Sequence, residues 1–152
     1  NKGMALLIDG YNLLHVTGIF GKGRGPGSLE RSRKALLRFL AASIDFQRHR
    51  DTTIVFDAAD APPGLPDSMQ HEGLLVRYAR NYPDADTLIE EIIAQHSTPR
   101  QLLVVSSDHR IQRAARRRRA RFIDSDVWYS RIWKRRAHDF KKSERAGPEK
   151  PV

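Results

Sequence analysis

The segment MALLID, at residues 4–9, is a short apolar run that ends in an aspartate and is followed directly by Gly10. Such a run is typical of a strand buried on both faces of a sheet. The segments TTIVFD (52–57) and QLLVVSSD (101–108) repeat the pattern and also end in aspartate. Because strands of this kind alternate with helical segments, we predict an α/β fold: a three-layer α/β/α sandwich with a central parallel sheet.

The rest of the chain supplies the alternating elements. The apolar periodicity predicts helices at 29–50, 86–97, 109–120 and 126–140. Two further strands are expected at 73–79 and 121–125. Glycine and proline make 15–28 and 58–68 irregular. We therefore expect one domain at residues 1–140, followed by a flexible basic tail at 141–152.

Length and composition narrow the class of protein. A chain of 152 residues is about one domain long and can bury a sizeable core. The sequence has no cysteine, which excludes a disulfide framework, a thiolate zinc site, an iron–sulfur cluster and a cysteine nucleophile. No apolar run approaches the length of a membrane span, and no secretory signal is visible. We expect a cytoplasmic protein without a membrane partner.

Positive charge is concentrated in one part of the sequence. The net charge is +9, yet residues 110–142 alone contain 13 Lys or Arg against 3 Asp or Glu. A basic run can be merely a solvated helix face. The local excess favours a polyanionic partner instead, most often a nucleic acid. Four consecutive arginines, Arg116, Arg117, Arg118 and Arg119, are the candidates for contacts with an RNA backbone.

Aspartates follow three predicted strands and begin one predicted helix. Asp9, Asp57 and Asp108 end strands, and Asp86 begins the helix after the third strand. Parallel strands bring such residues to one edge of the sheet, where ligands bind. Each aspartate taken alone is adequately explained as a helix cap. Four caps at one edge are better explained by an acidic site that holds Mg²⁺ or Mn²⁺ and hydrolyses a phosphodiester.

Several neighbouring residues have two open interpretations. Asn12 either orients a water, carboxylate or phosphate, or caps a loop. Asp84 and Glu90 either extend the acidic site or serve as a cap and a solvated residue, respectively. In the glycine-rich segment GKGRGPG (21–27), Lys22 and Arg24 either contact an RNA backbone or belong to a flexible linker.

Four segments, in this order and spacing, resemble the NYN domain of the PIN-like ribonuclease superfamily, and the YacP-like branch in particular. They are LLIDGYNLL, IVFDA, DADTLIEEI and VVSSDHRIQRAA, and the resemblance covers residues 4–137. It implies a PIN-like fold and an endoribonuclease that uses Mg²⁺ or Mn²⁺. By position it assigns catalytic roles to Asp9, Asn12, Asp57, Asp86 and Asp108. It also implies association with ribosomes and messenger RNA.

Three functions follow as hypotheses. The first is a metal-dependent endoribonuclease in which Asp9, Asp86 and Asp108 hold the metal, with Asp57 in or near its coordination shell and Asn12 orienting. It would cleave single-stranded or messenger RNA, in association with the ribosome. The second is a non-catalytic RNA- or ribosome-binding module with the same fold. The third is a phosphomonoesterase on a related scaffold, although the residue two after Asp9 is Tyr11 where such enzymes often have a second aspartate.

Overall fold

The computed structural model describes residues 4–18, 28–58, 64 and 66–146. Six strands form one sheet in the order β3–β4–β2–β1–β5–β6. They are β1 (Ala5–Asp9), β2 (Thr52–Phe56), β3 (Ser68–His71), β4 (Leu74–Tyr78), β5 (Leu102–Val105) and β6 (Arg121–Ile123). All neighbouring pairs are parallel except β3 and β4, which are antiparallel. The predicted parallel sheet is confirmed for the five predicted strands, and the antiparallel edge strand β3 is an addition to them.

In the described part of the chain, five α-helices cover the two faces of the sheet. They are α1 (Gly10–Thr17), α2 (Ser28–Ser43), α3 (Ala85–Gln95), α4 (His109–Arg117) and α5 (Ser125–Ala146). Short 3-10 helices at Phe46–Asp51 and Pro99–Gln101 lead into β2 and β5. None of the described helices has the length and apolarity that crossing a membrane requires.

Two hydrophobic cores, one on each face, hold the layers together. On one face, Leu6 and Ile8 of β1 pack with buried residues of α1, α2 and α5. On the other face, Leu7 packs with buried residues of α3 and α4. Successive side chains of a strand point to opposite faces, so β1 must be apolar at every position to serve both cores. This arrangement confirms the three-layer α/β/α sandwich.

The first helix differs from the sequence prediction, in which residues 15–28 are irregular and no helix follows β1. Helix α1 occupies Gly10–Thr17 and begins where the Asp9 side chain accepts a hydrogen bond from the Asn12 amide, at 3.3 Å. It ends at Gly18, whose φ of 71° is the left-handed conformation that glycine adopts readily. Lys22 and Arg24 lie outside the described residues.

Two further differences concern the segments on either side of β2. Strand β3 begins at Ser68, the last residue of the predicted irregular segment 58–68, and continues through residues to which the sequence assigns no element. It returns to β4 through Glu72 and Gly73, whose φ values of 49° and 89° form the tight turn. Helix α2 ends at Ser43, before the predicted end at Arg50. The chain leaves the helix so that buried His49 can place its two ring nitrogens 2.7–2.8 Å from the carbonyl oxygens of Glu72 and Ile44.

The last helix is longer than predicted. Helix α5 continues to Ala146, so residues 141–146 are helical rather than part of a flexible tail.

Helix α4 is shorter than predicted and ends at Arg117 rather than Ala120. Thus the four arginines Arg116–Arg119 span the end of a helix and the turn after it.

Gly10 is required by close packing at the end of β1. A Cβ atom at this position would lie 2.4 Å from Cε1 of Phe56 and 2.8 Å from the Val55 carbonyl oxygen. Phe56 is buried, so its ring cannot move aside without disturbing the core.

We expect Gly10→Ala to lower the free energy of unfolding by about 1–3 kcal/mol, the usual cost of overpacking a core. Urea denaturation measures the change. Phe56→Leu provides the control in a double-mutant cycle: if the ring causes the strain, the double variant should lose less stability than the sum of the single variants. Strictly additive losses would contradict the steric explanation.

Candidate active site

A crevice lies at the carboxyl ends of β1 and β5, where the order in which the chain adds strands reverses direction. From β1 the chain proceeds outward through β2 to β4, and it then returns to place β5 on the other side of β1. Crevices of this kind are the usual ligand sites of parallel α/β sheets. Here the crevice is a cavity of about 480 Å³, lined by Asp9, Tyr11, Asn12, Asp57, Asp84, Ala85, Asp86 and Asp108. The structure therefore brings all five predicted catalytic residues to one cleft.

Asp9 is the most buried of these carboxylates, with 4% of its surface exposed. Its Oδ2 accepts a hydrogen bond from Ser106 Oγ at 2.8 Å, and Ser106 Oγ accepts one from the Asp108 amide at 3.1 Å. Burial raises the pKa of Asp9, the Ser106 and Asn12 hydrogen bonds oppose that shift, and the Asp108 charge adds to it. Ser106 thus links β1 to the loop that follows β5.

Asp86 and Asp108 line the same cleft and interact electrostatically. Burial, followed by the nearby carboxyl group of Asp108, raises the pKa of Asp86 to about 7, and the charges of Asp9 and Asp84 contribute further. Asp108 is also the N-cap of α4, since it accepts a hydrogen bond from the Arg110 amide at 2.8 Å. A cation would stabilise neighbouring carboxylates of this kind by balancing their charge.

Asp84 serves as the cap of α3 while lining the same cleft. It accepts hydrogen bonds from the amide and the hydroxyl of Thr87, at 2.8 and 2.6 Å. These bonds, followed by the nearby charge of Arg110, lower the pKa of Asp84. Asp84 is therefore both cap and cleft residue, the two roles that the sequence left open.

Arg110 organises the acidic residues of α3, a role that the sequence reasoning missed. Its Nη2 lies 2.6 Å from Glu90 Oε1, and its Nη1 lies 3.3 Å from Asp84 Oδ2. Glu90 is thereby held in an ion pair, which makes a free acidic role in the cleft unnecessary. The available signal was position: Arg110 lies in the first turn after Asp108, at the edge where the acidic side chains gather.

Asn12 joins α1 to the loop after β5. Its Oδ1 accepts a hydrogen bond from the Ser107 amide at 2.7 Å. Since Asn12 also lines the cleft, it positions the backbone beside Asp108 while leaving its NH₂ group as a donor. The hydrogen bond to Ser107 agrees with a role of Asn12 in holding a loop, and orientation of a water, carboxylate or phosphate by Asn12 stays a prediction.

The donor chemistry of the cleft fits a hard divalent cation. Carboxylate oxygens are the ligands that Mg²⁺ and Mn²⁺ prefer, and four aspartates besides Asp9 line the cavity or its rim: Asp57, Asp84, Asp86 and Asp108. The coordination shell is not preformed: within the described part of the chain, no three His, Asp or Glu side chains are grouped closely enough to bind one ion. Binding would require these side chains to turn toward a common point.

The four arginines of the basic run lie away from the cleft. Helix α4 begins directly after its cap Asp108, and its C-terminal end lies about 13 Å away, toward the amino ends of the strands. Arg118 donates from Nη2 to the His96 carbonyl at 2.7 Å and so caps the end of α3. Arg116 lies over the ring of Phe122, 5.4 Å from its centroid. Binding of RNA by Arg116–Arg119 stays a prediction, and it would occur at a separate surface.

The raised pKa of Asp86 predicts a pH effect on stability in metal-free protein. The folded state retains the proton up to about pH 7, whereas the unfolded chain releases it near 3.8. The folded state therefore binds more protons between these values, and the free energy of unfolding falls as pH rises through about 4 to 7. We expect Asp86→Asn, which carries no charge in either state, to reduce this decline.

Urea denaturation in a chelator at several pH values measures the slope. Asp45→Asn is the matched control, because exposed Asp45 makes no cap hydrogen bond at the start of its 3-10 helix. It should leave the slope unchanged. Equal slopes for wild type and Asp86→Asn would show that Asp86 does not hold a proton in the folded protein.

Comparison with known proteins agrees with this architecture. The family model of the YacP-like NYN domain matches residues 6–150. Crystal structures of Rae1 (YacP) from Bacillus subtilis have similar folds. A point mutant is 20% identical with a TM-score of 0.66, covering 97% of this chain and 85% of that chain. A second structure is 22% identical with a TM-score of 0.65, covering 93% and 84%.

At these identities the structural likeness shows the fold alone. A search of curated proteins finds no match. The family assignment therefore depends on the family model, whose match spans nearly the whole sequence. The chain belongs to the YacP-like NYN domain family and has its nuclease-like, RNA-related fold.

Proposed function

We propose that the protein is a metal-dependent endoribonuclease that hydrolyses RNA phosphodiester bonds. The observation that carries the proposal is the interacting group of Asp9, Asp86 and Asp108 at the β1–β5 crevice, in which Asp86 keeps a proton to about pH 7. Carboxyl groups crowded in this way favour a divalent cation over separate helix caps. Membership of a nuclease-like, RNA-related family supports RNA as the substrate.

The proposed roles follow from the position of each side chain. Asp86 and Asp108 hold Mg²⁺ or Mn²⁺ together with Asp9, whose hydrogen bond from Ser106 fixes its orientation. Asp57 lines the same cavity, after β2, and lies in or near the coordination shell of the metal. Asn12 positions the loop that carries Asp108.

A divalent ion bound here would activate a water molecule and neutralise charge that develops on the phosphate. The chain's own contribution is to bring the carboxylates to one cleft and to attract the substrate. The N-termini of α1, α3 and α4 point toward the cleft, and their positive dipole ends favour an anionic phosphate there. Association with messenger RNA or the ribosome is part of the proposal and rests on the family resemblance.

Labelled single-stranded RNA and DNA, incubated with Mn²⁺, with Mg²⁺ or with a chelator, provide the test. We expect cleavage of RNA that requires the metal and that falls by at least about 100-fold in Asp108→Asn and in Asp86→Asn, the scale of losing a group that stabilises transition-state charge. Asp45→Asn is again the matched control and should cleave normally. Cleavage that survives both cleft substitutions would remove the assignment.

A non-catalytic RNA- or ribosome-binding module is the second candidate. It is favoured by the lack, among the described residues, of three side chains already grouped for metal binding. It predicts RNA binding without cleavage in any metal, and wild-type RNA affinity in Asp108→Asn. The same assay, combined with fluorescence anisotropy of labelled RNA, therefore separates the two candidates.

A further inference from the structure

A second cavity, of about 340 Å³, lies between α2 and the edge strand β3. The side chains of Arg33, Lys34, Arg38 and His71 contribute its basic groups. Leu37 and Met69 give it an apolar wall. Among the described residues that line this cavity, Glu30 is the sole carboxylate. We call it the α2 pocket.

Arg33 is the unusual residue of the α2 pocket. Only 3% of its surface is exposed, and its Nη1 atom has no hydrogen-bond partner among the described residues. Its guanidinium faces the ring of Tyr78, 5.9 Å from the centroid. The Glu30 carboxylate lies 3.5 Å from Lys34 and forms its ion pair there.

A buried guanidinium without a hydrogen-bond partner at one of its nitrogens is costly. Arginine is almost never fully buried unless it is paired, because a buried charge and a buried unsatisfied donor each lower stability. The interaction with the Tyr78 ring offsets only part of that cost. An anion with oxygen acceptors in the pocket would balance the surrounding positive charge, and Arg33 would turn toward it to bring Nη1, which is closed off from solvent, into contact.

Through Tyr78, the α2 pocket reaches the carboxyl end of the sheet, the end at which the cleft lies. Tyr78 ends β4 and its ring is 6.0 Å from that of Phe56, which ends β2. Phe56 in turn lies directly beneath Gly10, the residue after Asp9. The two sites are thus joined through two buried rings at the carboxyl ends of neighbouring strands.

We propose that the α2 pocket binds a phosphate of the RNA strand whose scissile bond lies in the cleft. The inference rests on the proposed function and adds a substrate-binding subsite to it. Phosphate matches the planar guanidinium and its parallel donors. Basic groups are needed near the cleft because the Arg116–Arg119 run lies toward the amino ends of the strands and Arg110 is paired with Glu90.

The test measures RNA binding without catalysis. Labelled single-stranded RNA is titrated in a chelator, at KCl concentrations from about 50 to 200 mM, and followed by anisotropy. We expect Arg38→Gln and Lys34→Gln each to weaken binding by about 3- to 10-fold and to reduce the slope of log affinity against log salt by about 0.7, the value for one lost phosphate contact on a single strand. Arg33→Gln should have the largest effect.

Arg31→Gln is the matched control, because Arg31 is an exposed arginine of α2 that does not line the pocket. It should leave the slope close to that of wild type. Circular dichroism checks each fold, and if Arg33→Gln does not fold, the two exposed variants decide the outcome. Equal effects of Arg31→Gln and Arg38→Gln would overturn the proposal, since general charge would then explain the binding.

Two further arms separate the RNA subsite from the nuclease activity and from a site for small anions. If RNA binding depends on the pocket but no metal supports cleavage, the subsite stands and the proposed nuclease activity fails. Inorganic phosphate and a mononucleotide are added as competitors. If either one displaces RNA only at concentrations far above that of the RNA, the polynucleotide is the ligand. If either binds the pocket more tightly than RNA does, the pocket is a small-anion site and the proposal is overturned.

Discussion

The carboxyl ends of β1 and β5 lie side by side, and this adjacency forces Asp9 and Asp108 into one electrostatic environment. Asp86 enters the same environment from the first turn of α3. Each added carboxylate raises the free energy of ionising the others, which adds to desolvation in raising the pKa of Asp86 to about 7. The N-termini of α1, α3 and α4 offset part of this repulsion, because their free amide groups face the negative charge.

Helix capping and site formation are therefore compatible roles for these aspartates. Asp9 and Asp108 each accept a hydrogen bond from a backbone amide at the start of a helix, while their carboxyl groups still line one cleft. The cap fixes where the carboxylate lies, and the convergence of strand ends decides what surrounds it. A parallel sheet achieves both with one residue, since each strand end is followed by a helix start.

Local pattern in the sequence predicts much of this fold, and contacts between distant segments account for the rest. The apolar runs ending in Asp9, Asp57 and Asp108 placed the strands and the acidic cleft, because a doubly covered strand must be apolar throughout. Helix α1 was missed because its stabilising cap, Asp9, also ends a strand. Strand β3 is short and half-exposed, and the end of α2 depends on His49 reaching the Glu72 carbonyl, which no local pattern shows.

The clustering of basic residues in the sequence is the least reliable guide to where an anion-binding site lies in the fold. The basic run at Arg116–Arg119 is continuous in sequence, yet its side chains have different environments in the fold. Arg118 caps α3, and Arg116 lies over the ring of Phe122. Helix α4 places the whole group away from the cleft. Arg33 carries no such signal in the sequence, but folding buries it beside the ring of Tyr78, without a partner for its Nη1 among the described residues. The cost of burying an unsatisfied cation depends on its surroundings in three dimensions, so the count of arginines in a segment cannot reveal it. An anion-binding role is better inferred from a guanidinium whose burial leaves a donor unused than from one that solvent already satisfies.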